Sequence, residues 1–342
     1  MNQSLILGVM PTLAFYFILM YSTREHPDNK NSGTDIPGTV AGMSARGCDM
    51  FHPEETVTVL MLLLLNTAML IFTDISSTIG LFILNLAAVA AIVAFSFVPS
   101  DASDRNGILS FIRDWYILAF LIFLYLQSGR LVPLVNPHDV DSFIIRIDRF
   151  FFFGHDPTVL VERFIHPVLT ELFQIVYASF YLLPLILCVL LYRRDSRREF
   201  HTAAALIVLG FYISYIGYYI TPAVGPRFTL DHLQSVPLRG TFFFDYLRAL
   251  LDVSNTPFRD CCPSGHTMIS LLTIMLAHRF KKSFFTPALL WALLLICSTV
   301  YLRYHYVWDL AVGAILALVL FHFLPRVEAA VERSVSYQRS RS

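Results

Sequence analysis

The stretch that decides the fold is "PSGHTMISLLTIMLAHRFKK", residues 263–282. It opens on Pro263 and Ser264, which suit the first turn and the cap of a helix. It continues through an apolar run and closes on Arg279, Lys281 and Lys282. A basic patch at the end of an apolar helix marks the cytoplasmic side. The polar start, with Ser264, Gly265 and His266, therefore faces the other side.

Outward from this stretch the same pattern repeats. Of 342 residues, 56% are hydrophobic and 15% charged, against about 45–50% apolar residues in an ordinary soluble domain. Mean hydropathy is +0.61. Apolar runs at 4–22, 57–73, 77–98, 115–134, 168–192, 203–222, 264–279, 284–302 and 305–324 approach the roughly 20 residues needed to span a bilayer. The expected fold class is all-α, a polytopic membrane protein with about nine transmembrane helices. The first run has neither a basic leader nor a small-residue cleavage site and reads as a retained helix. The formal net charge is zero, which excludes the basic footprint of a nucleic-acid binder.

Four arginines in "RRDSRREFH" (193–201) and the basic C-terminal "PRVEAAVERSVSYQRSRS" (325–342) assign their loops to the cytoplasm, each charge near an anionic leaflet contributing about 1 kcal/mol. Alternation from there puts 223–263 outside and brings "PSGHT" and "RYHYVWD" to one non-cytoplasmic face. His266 and His305, far apart in sequence, then lie at one membrane depth.

Between the runs, 23–56 reads as an irregular loop. Asn66 and Asn85 read as interhelical hydrogen-bond partners. Residues 139–165 read as an interfacial amphipathic helix and turn, with Phe150 to Phe153 in the interface and His155–Asp156 as a surface pair. "GTFFFDYLRALLDV" (240–253) has helical periodicity and could lie on the membrane as a lid. The five cysteines, Cys48, Cys188, Cys261, Cys262 and Cys297, show neither a disulfide framework nor zinc spacing. Cys261 and Cys262 read as buried or interfacial thiols.

The chemistry concentrates on the outer face. Ser264 caps a helix whose free N–H groups attract anions, Gly265 lets an oxyanion approach the backbone, and His266 hangs beside them as a proton donor. In "STVYLRYHYVWD" (298–309), His305 and Asp309 stand four apart, on one face of a helix starting near 305. The carboxylate would fix the imidazole tautomer and leave the other nitrogen as a nucleophile. Arg227 in "TPAVGPRF" offers a planar fork suited to a phosphoryl group. Arg303 adds charge and, in a continuous helix, shares a face with Thr299.

Together these motifs resemble the type 2 phosphatidic acid phosphatase and vanadium haloperoxidase superfamily over roughly 111–325. "PSGH" is matched by Pro263, Ser264, Gly265 and His266. The Ser-Arg-x5-His-x3-Asp motif aligns with Ser298, Thr299, His305 and Asp309, Thr299 replacing the arginine. The Lys-x6-Arg-Pro motif is represented by Arg227 alone, with Ile220 at the lysine position and Phe228 after the arginine. "GPR", "YLRYHYVWD" and "YASFYLLP" (177–184) look closer to the inositol phosphorylceramide synthase-like, inositolphosphotransferase branch; "SGHT" with "HY" and Asp309 is also similar to sphingomyelin synthases.

The apolar runs give N-terminal transmembrane helices of unknown role over 1–110 and the basic residues a cytoplasmic tail over 327–342; the resemblance implies a six-helix catalytic core over 111–326. It implies a lipid phosphatase or head-group phosphotransferase in which His305 attacks phosphorus, Asp309 orients it and His266 protonates the leaving oxygen. Arg227, Arg303, Ser264 and Gly265 would bind phosphate, with Arg239 or Arg259 adding charge. The expected substrate is a lipid phosphate or phospholipid, the acceptor water or a lipid alcohol, and no metal or other cofactor is needed. The expected location is a bacterial inner membrane with the site on the periplasmic or extracellular face. Two rivals stand beside it: a zinc hydrolase on His266, His305 and Asp309, and a non-catalytic lipid binder or transporter that keeps the fold. A serine hydrolase on Ser264 lacks the nucleophile elbow.

Overall fold

A computed structural model of the chain describes residues 51–97, 107–193, 196–251 and 258–339, and every regular element among them is helical. In chain order these are α1 (Pro53–Phe72), α2 (Ile75–Phe95), α3 (Gly107–Trp115), α4 (Ala119–Val135), α5 (Asp141–Phe151), α6 (Pro167–Ala178), α7 (Leu182–Arg193), α8 (Arg197–Ile220), α9 (Phe244–Leu251), α10 (Gly265–Phe280), α11 (Lys282–Tyr301), α12 (Val307–His322) and α13 (Leu324–Arg339). Single helical turns lie at 157–160 and 226–229, and short 3-10 turns at 116–118, 161–164 and 231–233.

Among the described residues five helical segments are long and apolar enough to cross a membrane: α1, α2, the stretch Ile108–Val135, α8 and α11. Two bent pairs, α6 with α7 at 48° and α12 with α13 at 50°, bring the number to seven if each is one span. The chain is thus an integral membrane protein, all-helical among the described residues. The expected count of nine is not reached here, because run 4–22 lies outside the described residues and run 264–279 forms the 16-residue α10, about 24 Å long. Run 168–192, expected to be continuous, breaks after Ala178. Pro184 has no N–H and fits a first turn, so the helix restarts at Leu182. Pro325 marks the start of α13 in the same way.

The chain divides into two compact units. Among the described residues, unit 1 comprises 51–97, 107–124, 197–209 and 323–339; unit 2 comprises 125–193, 196, 210–251 and 258–322. In unit 1, α1 and α2 form a hairpin whose second helix is capped by Asp74, accepting from Ser76 N–H at 3.0 Å. Asn85 Nδ2 donates to Asn66 Oδ1 at 2.9 Å across the hairpin, and Asn66 Nδ2 to the Phe82 carbonyl, as the two asparagines in apolar runs predicted. The C-terminal segment read as a tail is helical to residue 339, with Val327, Val331 and Ser334 buried.

In unit 2, α10 is buried on nearly every side, with Met268, Ile269, Leu272, Leu276 and Ala277 inaccessible, and it packs against α11 and α12. Gly313 on α12 makes that packing possible: a Cβ there would stand 2.5 Å from the Ser264 carbonyl oxygen. The outward faces of α11 and α12 are apolar yet exposed, at Leu290, Leu293, Ile315 and Leu318. Such surface fits hydrocarbon as its solvent.

Candidate active site

The site is built within unit 2 from three chain segments. The first is the N-terminus of α10. Ser264 is its N-cap, the hydroxyl accepting Thr267 N–H at 3.2 Å, as its residue type predicted. Gly265 is crowded rather than open: an added Cβ would meet Tyr218 Oη at 3.1 Å and Ser214 Oγ at 3.2 Å. Its missing side chain serves close packing against α8.

His266 follows at the second helical position, held between Tyr177, stacked at 4.6 Å, and Phe180 at 4.4 Å between ring centroids. Its Nδ1 lies 3.2 Å from His305 Nε2. Two imidazoles from separate segments thus meet nitrogen to nitrogen.

The second segment is the end of α11. The helix stops at Tyr301, and Arg303 takes the left-handed conformation with φ 67°. Arg303 N–H donates to Val300 O at 3.1 Å and Tyr304 N–H to Thr299 O at 2.9 Å, the paired bonds of a Schellman turn. His305 N–H shares the Thr299 carbonyl at 3.1 Å. The condition for Thr299 and Arg303 to share a face, a helix continuous through both, is therefore not met. Arg303 Nη2 instead reaches Glu162 Oε1 at 2.8 Å and the Val236 carbonyl at 2.5 Å.

The third segment is the start of α12, which begins at Val307 rather than near 305. Asp309 sits in its first turn and its Oδ2 accepts Tyr306 N–H at 3.0 Å, the reach-back of a capping box. His305 Nδ1 lies 3.5 Å from the same oxygen, within ion-pair reach but longer than a formed hydrogen bond. Cys261 Sγ closes on it at 2.7 Å and stands 3.6 Å from His305 Nδ1. With Nδ1 turned to the carboxylate, the tautomer assigned by these neighbours leaves the lone pair on Nε2, facing His266.

Arg227 lies on the turn at 226–229, half-buried, its guanidinium 5.7 Å from the Tyr304 ring centroid. Tyr304 stacks on Tyr177 at 4.2 Å, and Tyr177 on His266. An aromatic relay thus connects Arg227 with the imidazoles. Arg259 pairs with Asp139, and Arg239 is exposed.

Three contributors escaped the sequence reading. Asp141 and Asp148, seven apart on α5, act as backbone receptors. Asp141 accepts Val224 N–H at 3.0 Å, Gly225 N–H at 2.9 Å and Tyr306 Oη at 2.8 Å. Gly225, at φ 93°, lets the chain turn there into Arg227, where a Cβ would strike the Tyr304 carbonyl at 2.9 Å. Asp148 accepts Val307 and Trp308 N–H at 2.9 and 2.8 Å, capping α12. Burial pushes Asp148 up to about 6, against hydrogen bonds that pull it down; burial likewise raises Asp141. The i, i+7 spacing was the available signal, but it matches an amphipathic surface helix equally well.

The third is Cys261, read as a buried or interfacial thiol and found buried, but against Asp309; burial, then Asp309, holds its thiol well above the ordinary range, protonated. Cys261, His305 and Asp309 form a group whose ligand atoms lie within 4.8 Å of one another. The pair read as His155–Asp156 is instead Arg149–Asp156, a two-pronged bond at 2.9 and 2.8 Å, because the guanidinium fork matches a carboxylate. Of the expected lid, α9 covers 244–251; residues 252 and 253 lie outside the described residues. Its N-terminal amides are held by Glu171, which accepts from Thr241, Phe242, Phe243 and Phe244.

No curated protein and no solved structure matches the chain. A family model described as the PAP2 superfamily matches residues 142–323, more than half of the chain and the stretch that carries both imidazoles, Asp309 and Arg227. By that match the chain belongs to the PAP2 superfamily.

Proposed function

We propose that this protein is a lipid phosphatase or phospholipid head-group phosphotransferase working through a phosphohistidine. The superfamily's phosphatases and phosphotransferases supply the reaction class. The observation that carries the reading is the 3.2 Å approach of His266 Nδ1 to His305 Nε2, with Asp309 behind the second ring.

In the proposed reaction His305 Nε2 attacks phosphorus, the bond to the leaving oxygen breaks, and protonated His266 gives that oxygen its proton. Asp309 steadies the positive charge on His305. Water or an alcohol then attacks phosphorus, His266 takes its proton, and the N–P bond breaks. A phosphoryl group seated between the rings has to part them. Arg227 and the amides at the start of α10 would meet its oxygens. Arg303 is proposed here as a holder of the Glu162 segment, since its Nη2 is engaged by Glu162 and the Val236 carbonyl.

A second reading, a non-catalytic lipid binder of the same fold, draws support from Thr299 and Ile220 standing where the family's arginine and lysine are expected. Incubation of detergent-purified protein with labelled phospholipids, with and without inositol-lipid or ceramide acceptors, separates the two. Product that disappears in His305→Ala supports the enzyme; lipid binding without product, unchanged in His305→Ala, overturns it. Product with acceptor alone identifies a transferase. The inositolphosphotransferase-like branch and a bacterial inner-membrane location with an outward-facing site remain part of the proposal.

A further inference from the structure

Unit 1 holds a second cluster of titratable side chains that phosphoryl transfer does not use. His52 precedes α1, Glu54 stands in its first turn, and His201 lies in the second turn of α8. All three are buried, and their ligand atoms fall within 4.8 Å of one another. The two imidazoles lie face to face, centroids 3.9 Å apart and planes 12° from parallel.

The surrounding charges pair off and leave Glu54 over. Arg113 Nη2 meets Glu55 Oε2 at 2.9 Å, and Arg197 meets Asp114. Glu54 Oε1 lies 2.6 Å from His201 Nδ1, while its Oε2 is buried with no hydrogen-bond partner among the described residues. A carboxylate oxygen so enclosed is costly without a cation.

The outer contacts are those of metal-ligating histidines. His201 Nε2 is 3.7 Å from Asp114 Oδ1, itself pinned by Arg197, and His52 Nδ1 is 3.3 Å from Ser334 Oγ. A carboxylate or hydroxyl behind the far nitrogen fixes the tautomer and aims the near one. Two imidazoles and a carboxylate are a zinc-type donor set.

We propose that His52, Glu54 and His201 bind one zinc-class divalent ion, with Asp114 and Ser334 orienting the imidazoles. His52 Nε2, His201 Nδ1 and the unpartnered Glu54 oxygen are the donors, the two rings tilting toward the ion. The ion ties the entry of α1 to the first turns of α8. It also supplies the countercharge that Glu54 lacks.

The test uses the full chain in detergent, stripped with chelator and reloaded with Co2+, read by elemental analysis and by the cobalt absorption spectrum. The expected result is one ion per chain, with visible d–d bands and no near-ultraviolet thiolate band. Occupancy should be lost in His52→Ala and His201→Ala and kept in His305→Ala. Failure of the stripped protein to take up an ion overturns the proposal. So does a thiolate band, or loss in His305→Ala alone, which would assign the ion to Cys261, His305 and Asp309. The wild-type spectrum decides even where a histidine variant misfolds.

Discussion

At the residue scale, the site turns on which atoms each imidazole shows to its neighbours. His266 is wedged between Tyr177 and Phe180, so packing fixes where its Nδ1 points. If it is the general acid, His266→Ala should lower turnover on the order of 10²–10⁴-fold with a smaller change in KM; an equal loss in the ratio through KM alone contradicts the role. Arg303 offers a test of a different kind, because a non-glycine residue at φ 67° carries about 1–2 kcal/mol of backbone strain. Arg303→Gly and Arg303→Ala both strip Glu162 of its arginine while Ser235 still holds its other oxygen, and they differ at the left-handed backbone. Arg303→Gly should be the more stable by about 1 kcal/mol in denaturant unfolding; equal stabilities would remove the strain from the account. The histidines, Asp309 and Ser264 were legible in the sequence because motif spacing encodes them. Cys261 was not, since a lone thiol in an apolar context reads as core until its neighbour across the fold is known.

At the element scale, α5 is a brace as well as an amphipathic helix, its Phe143, Phe150 and Phe151 exposed. Its Asp141 and Asp148 hold the Arg227 turn and the start of α12 through four backbone amides. The amphipathic period was visible in 139–165, but whether the polar stripe faces water or neighbouring amides depends on tertiary contacts. Burial raises Asp148 from the ordinary 3.8 to about 6, so folding takes up a proton between those values. Its contribution to stability is fully present below pH 3.8 and lost as pH rises through about 6. Asp148→Asn should therefore flatten the fall in stability between pH 4 and 7 measured by unfolding in detergent; an unchanged slope would mean the carboxyl is not shifted. The helix breaks at 179–181 and after His322 were hidden for the opposite reason: apolar composition carried straight across them, and only Pro184 and Pro325 mark the restarts.

At the scale of the whole molecule, the membrane class was readable from hydropathy alone, because lipid-facing helices must be apolar along their length. The number of spans was less readable, since α10 is short and buried by protein on most sides, so that its composition answers to neighbours rather than lipid. The outward apolar face of α12 makes a direct prediction: Leu318→Lys, at an exposed apolar position, should reduce membrane insertion by about 2.5–3.5 kcal/mol in a glycosylation-mapped insertion assay, whereas Arg326→Lys should leave insertion unaltered. A neutral Leu318→Lys would place that face against protein or water instead. The account's central claim is that His305 carries the phosphoryl group, and the most direct measurement is a rapid quench with lipid labelled at phosphorus. The account predicts a labelled protein stable to alkali and labile to acid, absent in His305→Ala and formed more slowly in His266→Ala; label persisting in the His305 variant, or released by alkali as an acyl phosphate, would contradict it.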